Sequence, residues 1–183
     1  MHFSLIHRGS RAAFAFGLAT AMVLGLRCGA LAATAPVTVT IVDNLDSPVS
    51  SARVSQSQQK AQPFMTGDAS YVVHAVELEL AEAASLSQAV VNIRLDSGGL
   101  PGAALTTLDA VELTAGGLGT YVFEADPGMP ATLEPNTKYW VVLENILGEV
   151  DWAVKTVSAP GILDEEADSN NGGSNWSSSN VPN

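Results

Sequence analysis

The clearest strand pattern in the chain is Ala89-Val90-Val91-Asn92-Ile93-Arg94-Leu95-Asp96, which runs into the cluster Ser97-Gly98-Gly99-Leu100-Pro101-Gly102. Val91, Ile93 and Leu95 alternate with polar residues at a period of two, the spacing of a strand with one buried face. Glycine permits a positive φ and proline fixes the bend that follows. The stretch therefore predicts a strand that ends in a turn.

The same period recurs on both sides of this stretch. Residues 81–88 are the only segment with marked helix propensity, and they are too short for the crossover that a parallel sheet needs. Strands are predicted at regular intervals: 37–42, two short edge strands within 52–67, 71–80, 105–113, 119–125, 139–146 and 150–157. Short strands at this spacing predict an all-β fold, an antiparallel β-sandwich of jelly-roll-like form.

The N-terminal segment has the features of a signal peptide. Basic residues precede an apolar run over 12–26, and Ala30-Leu31-Ala32 has the small-x-small form that a signal peptidase accepts. The run is about fifteen residues, short of the roughly twenty that a membrane-spanning helix needs. We therefore predict a signal peptide over 1–32, a β-sandwich domain over 36–183 and an exported mature chain without a stable membrane span; a retained anchor is the alternative.

The expected mature chain is strongly acidic. After residue 32, five basic residues stand against nineteen acidic ones, a net charge of −14. Such a surface repels nucleic acid, whose binding requires a basic patch that displaces counterions from phosphate. Cys28 is the only cysteine and leaves with the signal peptide, so the mature chain has neither a disulfide nor a thiol nucleophile. We expect no nucleic-acid partner.

The mature sequence lacks the residue pattern of a catalytic centre. His74 is its only histidine, and one histidine forms neither a triad nor a zinc site; being in phase with Val76, it is expected to be partly buried and hydrogen-bonded. Hydrolysis by paired carboxylates requires two of them to face each other across a cleft. Five carboxylates are candidates, and the period-two pattern already places each of them on the solvent-facing side of a predicted strand or beside one: Glu77, Glu79, Glu144, Glu149 and Asp151. We therefore predict that the protein is not an enzyme, with a secreted hydrolase as the least favoured alternative.

The segment over 158–183 is acidic at first and then rich in Asn, Gly and Ser, which predicts a long polar loop. Asp164, Glu166 and Asp168 place carboxylate oxygens at alternate positions, the ligand type that calcium prefers. Asn171 stands where an EF-hand loop needs glycine. A calcium site and a merely solvated loop stay open as alternatives, and no other cofactor is expected.

Tryptophan is the residue most useful for recognition in this sequence. Trp140 and Trp152 lie in strand patterns, where core packing is the usual fate of an aromatic side chain. Trp176 lies in the polar segment, and with Asn175 and Asn171 it forms the candidate carbohydrate-binding set, an exposed ring beside amide groups. Asn175-Trp176-Ser177 is also a glycosylation sequon, which has meaning only in a eukaryotic secretory pathway.

Three landmarks in this order resemble one family: residues 61–67 (Ala-Gln-Pro-Phe-Met-Thr-Gly), the strand and turn over 91–102, and residues 133–143 (Leu-Glu-Pro-Asn-Thr-Lys-Tyr-Trp-Val-Val-Leu). Over roughly residues 50–178 the chain resembles the choice-of-anchor R domain of bacterial exported proteins. The resemblance implies a β-sandwich displayed or released outside the cell, and it carries no catalytic residues. The chain departs from the family at Val181-Pro182-Asn183, where neither a final apolar strand nor a hydrophobic anchor is present, so a missing final strand and attachment to the surface are both open.

The sequence thus favours a non-catalytic extracellular or cell-surface module with an adhesive, matrix or structural role. The alternative is a carbohydrate-binding module that uses Trp176 and the polar residues around it. The expected partner is an extracellular glycan or another surface or matrix component.

Overall fold

A computed structural model describes residues 2–7, 37–43, 49–82, 87–113, 117–155 and 165–180. Within these segments all regular structure is β-strand, and no helix is present that could cross a membrane. The strands, numbered along the chain, are β1 (His2–His7), β2 (Val37–Asp43), β3 (Val49–Ser55), β4 (Gln59–Met65), β5 (Tyr71–Glu82), β6 (Ser87–Ser97), β7 (Leu100–Thr107), β8 (Val111–Leu113), β9 (Leu118–Glu124), β10 (Thr132–Leu133), β11 (Lys138–Leu147), β12 (Glu149–Lys155), β13 (Glu165–Ser169) and β14 (Ser177–Asn180).

The strands form two antiparallel sheets. The first sheet has the order β2-β1-β5-β12-β3, and the long β5 also pairs with β9 and β10. The second sheet has the order β14-β13-β4-β11-β6-β7, and β8 also pairs with β6. Along the described strands the chain changes sheet seven times, between β3 and β4, β4 and β5, β5 and β6, β8 and β9, β10 and β11, β11 and β12, and β12 and β13, so that the two sheets form a sandwich. The predicted all-β antiparallel sandwich is confirmed.

The main hydrophobic core lies between the two sheets. Alternate residues of β6 and β11 face it from the second sheet, among them Ile93 and Val141, because successive side chains of a strand point to opposite faces. Trp152 enters from the first sheet and is 1% exposed. Each large apolar side chain buried here stabilises the fold by about 1.5–3 kcal/mol. Core packing of Trp152, predicted from its strand pattern, is confirmed.

A two-residue hairpin joins β6 to β7. Ser97 pairs with Leu100 across the turn, and the two residues between them, Gly98 and Gly99, have φ angles of 66° and 87°. Positive φ at both central residues is the geometry of a type I′ turn, which matches the twist of the flanking strands. The predicted turn is confirmed, but it is shorter than predicted because the three residues after the glycines already belong to β7.

Strand β5 changes its core-facing side at His74. Val73 is buried before this point and Val76 after it, although three positions separate them. The register against β1 shifts between the partners of Ala75 and Val73. A bulge inserts one extra residue into a strand, which reverses the alternation beyond it. His74 is exposed for this reason, so the partly buried position predicted from its phase with Val76 is wrong.

The C-terminal segment adds a hairpin to the second sheet. β13 pairs with β4, and β14 pairs with β13. The long polar loop predicted over 158–183 is therefore wrong for residues 165–169 and 177–180, while 156–164 and 181–183 lie outside the described residues. The same pairing makes β4 an interior strand instead of the predicted edge strand. Backbone hydrogen bonds hold this hairpin, and they require no apolar side-chain pattern.

Strand β1 lies inside the predicted signal peptide. It pairs with β2 and β5 in the first sheet. Residues 8–36, which contain Cys28 and the predicted cleavage point at Ala32, lie outside the described residues. Cleavage there would remove β1 and leave every other strand within the predicted domain of residues 36–183.

Candidate functional site

A second apolar cluster lies on the face of the second sheet that points away from the main core. We call it the outer cluster. Trp140 alternates with the core-facing Val141 and therefore points outward, and it is fully buried. The outer cluster has four buried members and two partly buried ones: Ala61, Trp140, Val142 and Ala167, with Leu100 and Trp176 packed against them. Both faces of the second sheet thus carry buried apolar side chains.

Polar groups fix Trp140 in this cluster. Its Nε1–H donates to Asp96 Oδ1 at 2.8 Å, and the Lys138 ammonium lies 4.8 Å from the ring centroid. Lys138 also pairs with Glu165 of β13 and lies 3.7 Å from Asp96 Oδ1. These contacts bind the C-terminal hairpin to β11 and satisfy the buried indole N–H, which would otherwise cost stability.

The loop between β13 and β14, residues 170–176, is held by side-chain hydrogen bonds. Ser169 Oγ accepts from the Gly173 N–H and donates to Asn171 Oδ1, both at 2.9 Å. Asn171 Oδ1 also accepts from the Asn175 N–H at 2.9 Å. The loop is therefore folded around Ser169 and Asn171.

Two further hydrogen bonds attach the loop to the turn between β3 and β4. The Gly172 N–H donates to the Ser57 carbonyl at 3.1 Å, and Gln58 Nε2 donates to Asn170 Oδ1 at 3.3 Å. Gly173 has a φ of 78°, and a Cβ at this position would overlap Gln59 Oε1. Only glycine combines that backbone angle with so close an approach.

Trp176 leaves this loop and packs on the outer cluster. Its ring is partly buried, and the Arg94 guanidinium carbon lies 5.8 Å from the ring centroid. The indole Nε1 is buried without a hydrogen-bond partner. The ring is therefore fixed against the sheet, and the prediction of an exposed Trp176 platform is corrected to a ring with only part of its surface open.

The three residues predicted to bind carbohydrate meet in one shallow depression. Trp176, Asn175 and Asn171 line an open space of about 240 Å³ together with Asp168, Asn170 and Ser177. Asn171 and Asn175 are exposed, and each amide carries both hydrogen-bond donors and acceptors. The depression therefore offers mixed polar groups beside the edge of an aromatic ring.

A polar network lies beside Trp176 on the same face of the sheet. Glu144 Oε1 accepts from Gln59 Nε2 at 2.6 Å and from Arg94 Nη2 at 3.3 Å. Three buried atoms around it have no partner: Gln59 Oε1, Arg94 Nε and Trp176 Nε1. Such atoms usually bind ordered water or a ligand group. Glu144, a candidate catalytic carboxylate, is thus held between an amide and a guanidinium.

The other candidate carboxylates lie on the opposite side of the molecule. Glu77 and Glu79 alternate with core residues of β5, so they point to the outer face of the first sheet. Glu149 and Asp151 lie on the same face, 3.4 and 3.1 Å from the Arg53 guanidinium. Both sheets separate this group from Glu144. The five carboxylates are therefore not arranged as two walls of a cleft.

The three residues predicted to bind calcium are only partly described. Asp164 lies outside the described residues, while Glu166 and Asp168 share one face of β13. Asp168 Oδ1 lies 2.5 Å from Lys60 Nζ, so an ammonium occupies the position next to this carboxylate. Among the described residues no group of three or more His, Cys, Asp or Glu side chains is placed to hold a metal ion.

Comparison with family models, with curated proteins and with solved structures finds no match to this chain. The resemblance to the choice-of-anchor R domain therefore rests on the sequence landmarks alone.

The sequence did not predict the residues of β4 and β6 that contact the C-terminal hairpin and its loop. Arg94, Gln59 and Lys60 contact the C-terminal hairpin or its loop, although they lie far from it in the sequence. The available signal was the run Asn92, Arg94 and Asp96, whose polar side chains all face the outer side of β6. Without the strand order, that run indicates only a solvated face.

Proposed function

We propose that the chain is a non-catalytic, exported β-sandwich module that acts at the cell surface or outside the cell in adhesion, in a matrix or as a structural unit. The observation that carries this proposal is the hydrogen-bonded β13–β14 loop, which presents an open polar depression on a rigid two-sheet scaffold. Binding residues are commonly found on loops that a rigid scaffold positions. The acidic composition, the signal-like N-terminus and the resemblance to the choice-of-anchor R domain support an extracellular setting.

The absence of turnover is the second part of the proposal. Glu144 is held between Gln59 Nε2 and Arg94 Nη2, and none of the other candidate carboxylates faces it across a cleft, as hydrolysis by paired carboxylates requires. A screen of glycosidase, esterase and peptidase substrates should therefore give no turnover. Activity that is lost in Glu144→Gln or Glu77→Gln would contradict this part.

Export is tested by the N-terminus of the secreted protein. Cleavage after Ala32 predicts that sequencing of secreted material begins at Ala33. A secreted chain that still contains Cys28 would contradict the predicted processing.

Carbohydrate binding is the second candidate function, and the depression at Trp176 specifically favours it. Sugar hydroxyls both donate and accept hydrogen bonds; the Asn175 amide can match both roles and Asn171 Nδ2 can donate, while the ring edge offers apolar contact. At about 240 Å³ the depression is below the roughly 300–1,000 Å³ of typical enclosed ligand sites. It therefore suits the end or the edge of a glycan.

A glycan array probed with the parent protein and with Asn175→Ala tests this candidate. The Asn175 side chain is exposed and its loop contact is made by the backbone, so its removal should leave the melting temperature unchanged. One lost hydrogen bond to a sugar should weaken binding roughly two- to tenfold. Thr120→Ala, on the outer face of the first sheet, is the matched control and should bind like the parent. If the parent protein binds no glycan, the carbohydrate function is excluded and the adhesive or structural module stands.

A further inference from the structure

An amine and a carboxyl group meet across two neighbouring strands of the second sheet. Lys60 of β4 lies directly opposite Asp168 of β13, and Lys60 Nζ lies 2.5 Å from Asp168 Oδ1. The two residues are 108 positions apart in the sequence. Their side chains are only 20% and 31% exposed, so the pair is largely shielded from solvent.

The surroundings of this pair are enclosed on the side that faces the first sheet. Lys60, Gln62, Glu166 and Asp168 line a space that Trp152 closes and that leaves no room for a water molecule. Glu166 lies two residues before Asp168 and therefore on the same face of β13. Gln62 is 5% exposed, and its Oε1 has no hydrogen-bond partner. The space thus holds an amine, two carboxyl groups and an unsatisfied acceptor.

Glu166 has the protonation behaviour that a proton-transfer group needs. Burial raises the pKa of its carboxyl group, the Lys60 ammonium lowers it, and the Asp168 carboxylate raises it again, with a net upward shift. A carboxyl group with a raised pKa holds a proton closer to neutral pH and is better able to donate it. Glu166 is therefore a proton donor and acceptor placed beside a facing Lys–Asp pair.

We propose that Lys60 and Asp168 condense to an intramolecular amide that covalently ties β13 to β4, with Glu166 transferring the proton. The Lys60 ammonium first loses a proton, and the neutral Nζ attacks Asp168 Cγ to form the new C–N bond. Protonation of the departing Asp168 oxygen breaks its bond to Cγ, and that oxygen leaves as water. The nitrogen thus gives up two protons, one before the attack and one after it, and Glu166 relays both to the departing oxygen, so that Glu166 ends in the protonation state in which it began. The products are one amide and one water, and no oxidant, reductant or activating cofactor takes part.

Two physical effects favour this reaction at this position. Holding two reacting groups in contact replaces a bimolecular step by a unimolecular one, with effective molarities of about 10⁵–10⁸ M in well-oriented cases. The enclosed side of the space also penalises the partly buried ammonium–carboxylate pair, because both ions lose part of their hydration, whereas a neutral amide does not carry that penalty. The same residues in bulk water would remain an ion pair.

The bond would give the domain a covalent tie without a thiol. The sequence beyond residue 32 contains no cysteine, so no disulfide is available to an exported chain that follows the predicted processing. A tie between residues 60 and 168 closes most of the described sandwich into one loop and pins the hairpin that carries the depression. Closing a long loop limits the unfolded chain more than closing a short one.

Mass spectrometry of the purified full chain under denaturing conditions tests the proposal. The parent protein should be lighter than its sequence mass by one water. Trypsin should leave the bond after Lys60 intact and yield a branched peptide that joins residues 54–94 to 156–183. Lys60→Arg should have its full sequence mass. Asp168→Asn should still form the bond, with loss of one ammonia, and should give a product identical in mass to the parent product.

The Glu166→Gln variant tests whether bond formation requires proton transfer by Glu166 when the fold is unchanged. This variant keeps the size of the side chain and should melt cooperatively, yet it should retain its full sequence mass because the proton-transfer group is absent. A parent protein that is folded, has its full mass and gives no branched peptide would overturn the proposal and leave an ordinary ion pair. A Glu166→Gln variant that loses water as completely as the parent would overturn the role given to Glu166.

Discussion

Truncation of Trp176 tests whether the β13–β14 loop is a packed part of the second sheet. The ring lies on the outer cluster and under the Arg94 guanidinium, at 5.8 Å from the ring centroid. A packed tryptophan buries about 150–250 Å², and a partly buried one roughly 100–150 Å²; at about 25 cal/mol per Å² this corresponds to about 2.5–4 kcal/mol. Because real unfolded chains already bury some surface, we expect Trp176→Ala to lower the free energy of unfolding by about 2–3 kcal/mol.

Urea denaturation followed by circular dichroism measures this loss. Trp176→Phe keeps most of the contact area and removes the unpaired buried Nε1–H, so it should cost much less than the alanine variant. Met129→Ala is the surface control, since Met129 is 73% exposed, and it should stay within about 0.5 kcal/mol of the parent. A Trp176→Ala loss as small as that of Met129→Ala would refute the packing of the loop on the outer cluster.

Two further perturbations address the loop and the Lys60 site. Gly173→Ala should lower the free energy of unfolding by about 1–3 kcal/mol, because it adds overlap with Gln59 Oε1 to the strain of a positive φ. Gly172→Ala is the control: its φ is also positive, but the space around its Cβ is open, so it should show the strain alone. Equal losses of unfolding free energy in chemical denaturation would argue against the close approach of Gln59 to Gly173. In a Lys60→Arg background, which forms no amide, Glu166→Gln should leave stability unchanged below about pH 4 and increase it as the pH rises. The reason is that the raised pKa of Glu166 makes its ionisation less favourable in the folded state than in the unfolded chain, so the folded protein loses stability as this group ionises. Thermal denaturation across that pH range measures how the stability difference between the two proteins changes with pH. A stability gain of the Glu166→Gln variant that is confined to low pH would contradict the raised pKa of Glu166.

Much of the sandwich was readable from period-two patterning. β6 alternates from Val91 to Asp96, so its position and the burial of Ile93 follow directly from the sequence, whereas β11 is a continuous apolar run over residues 139–143 that is buried on both faces of the second sheet. The fold differs from the prediction where a local event changes the pattern, as at His74, where one extra residue reverses the alternation. β13 was missed because its pairing to β4 depends on backbone hydrogen bonds, while its side chains are acidic or small.

The candidate site was predictable only where its residues are neighbours in the chain. Asn171, Asn175 and Trp176 come from one short segment, and the structure places them in one depression. The contacts of Arg94 with Trp176 and of Lys60 with Asp168 depend on strand order, on which a sequence without detected relatives carries little information. The same limit explains why the outer cluster was not predicted. The sequence shows that Trp140 lies in a strand, but it does not show whether its side chain points to the main core or to the outer face of the second sheet.

An NMR titration tests most directly whether the β13–β14 loop is the recognition surface of this protein. The isotope-labelled protein would be titrated with extracellular polysaccharide fragments prepared from the producing cells. We predict amide shift changes confined to residues 168–177, with smaller changes at Gln58 and Gln59, which contact the loop. Shift changes centred on the outer face of the first sheet, around Glu77 and Glu79, would contradict recognition by the β13–β14 loop.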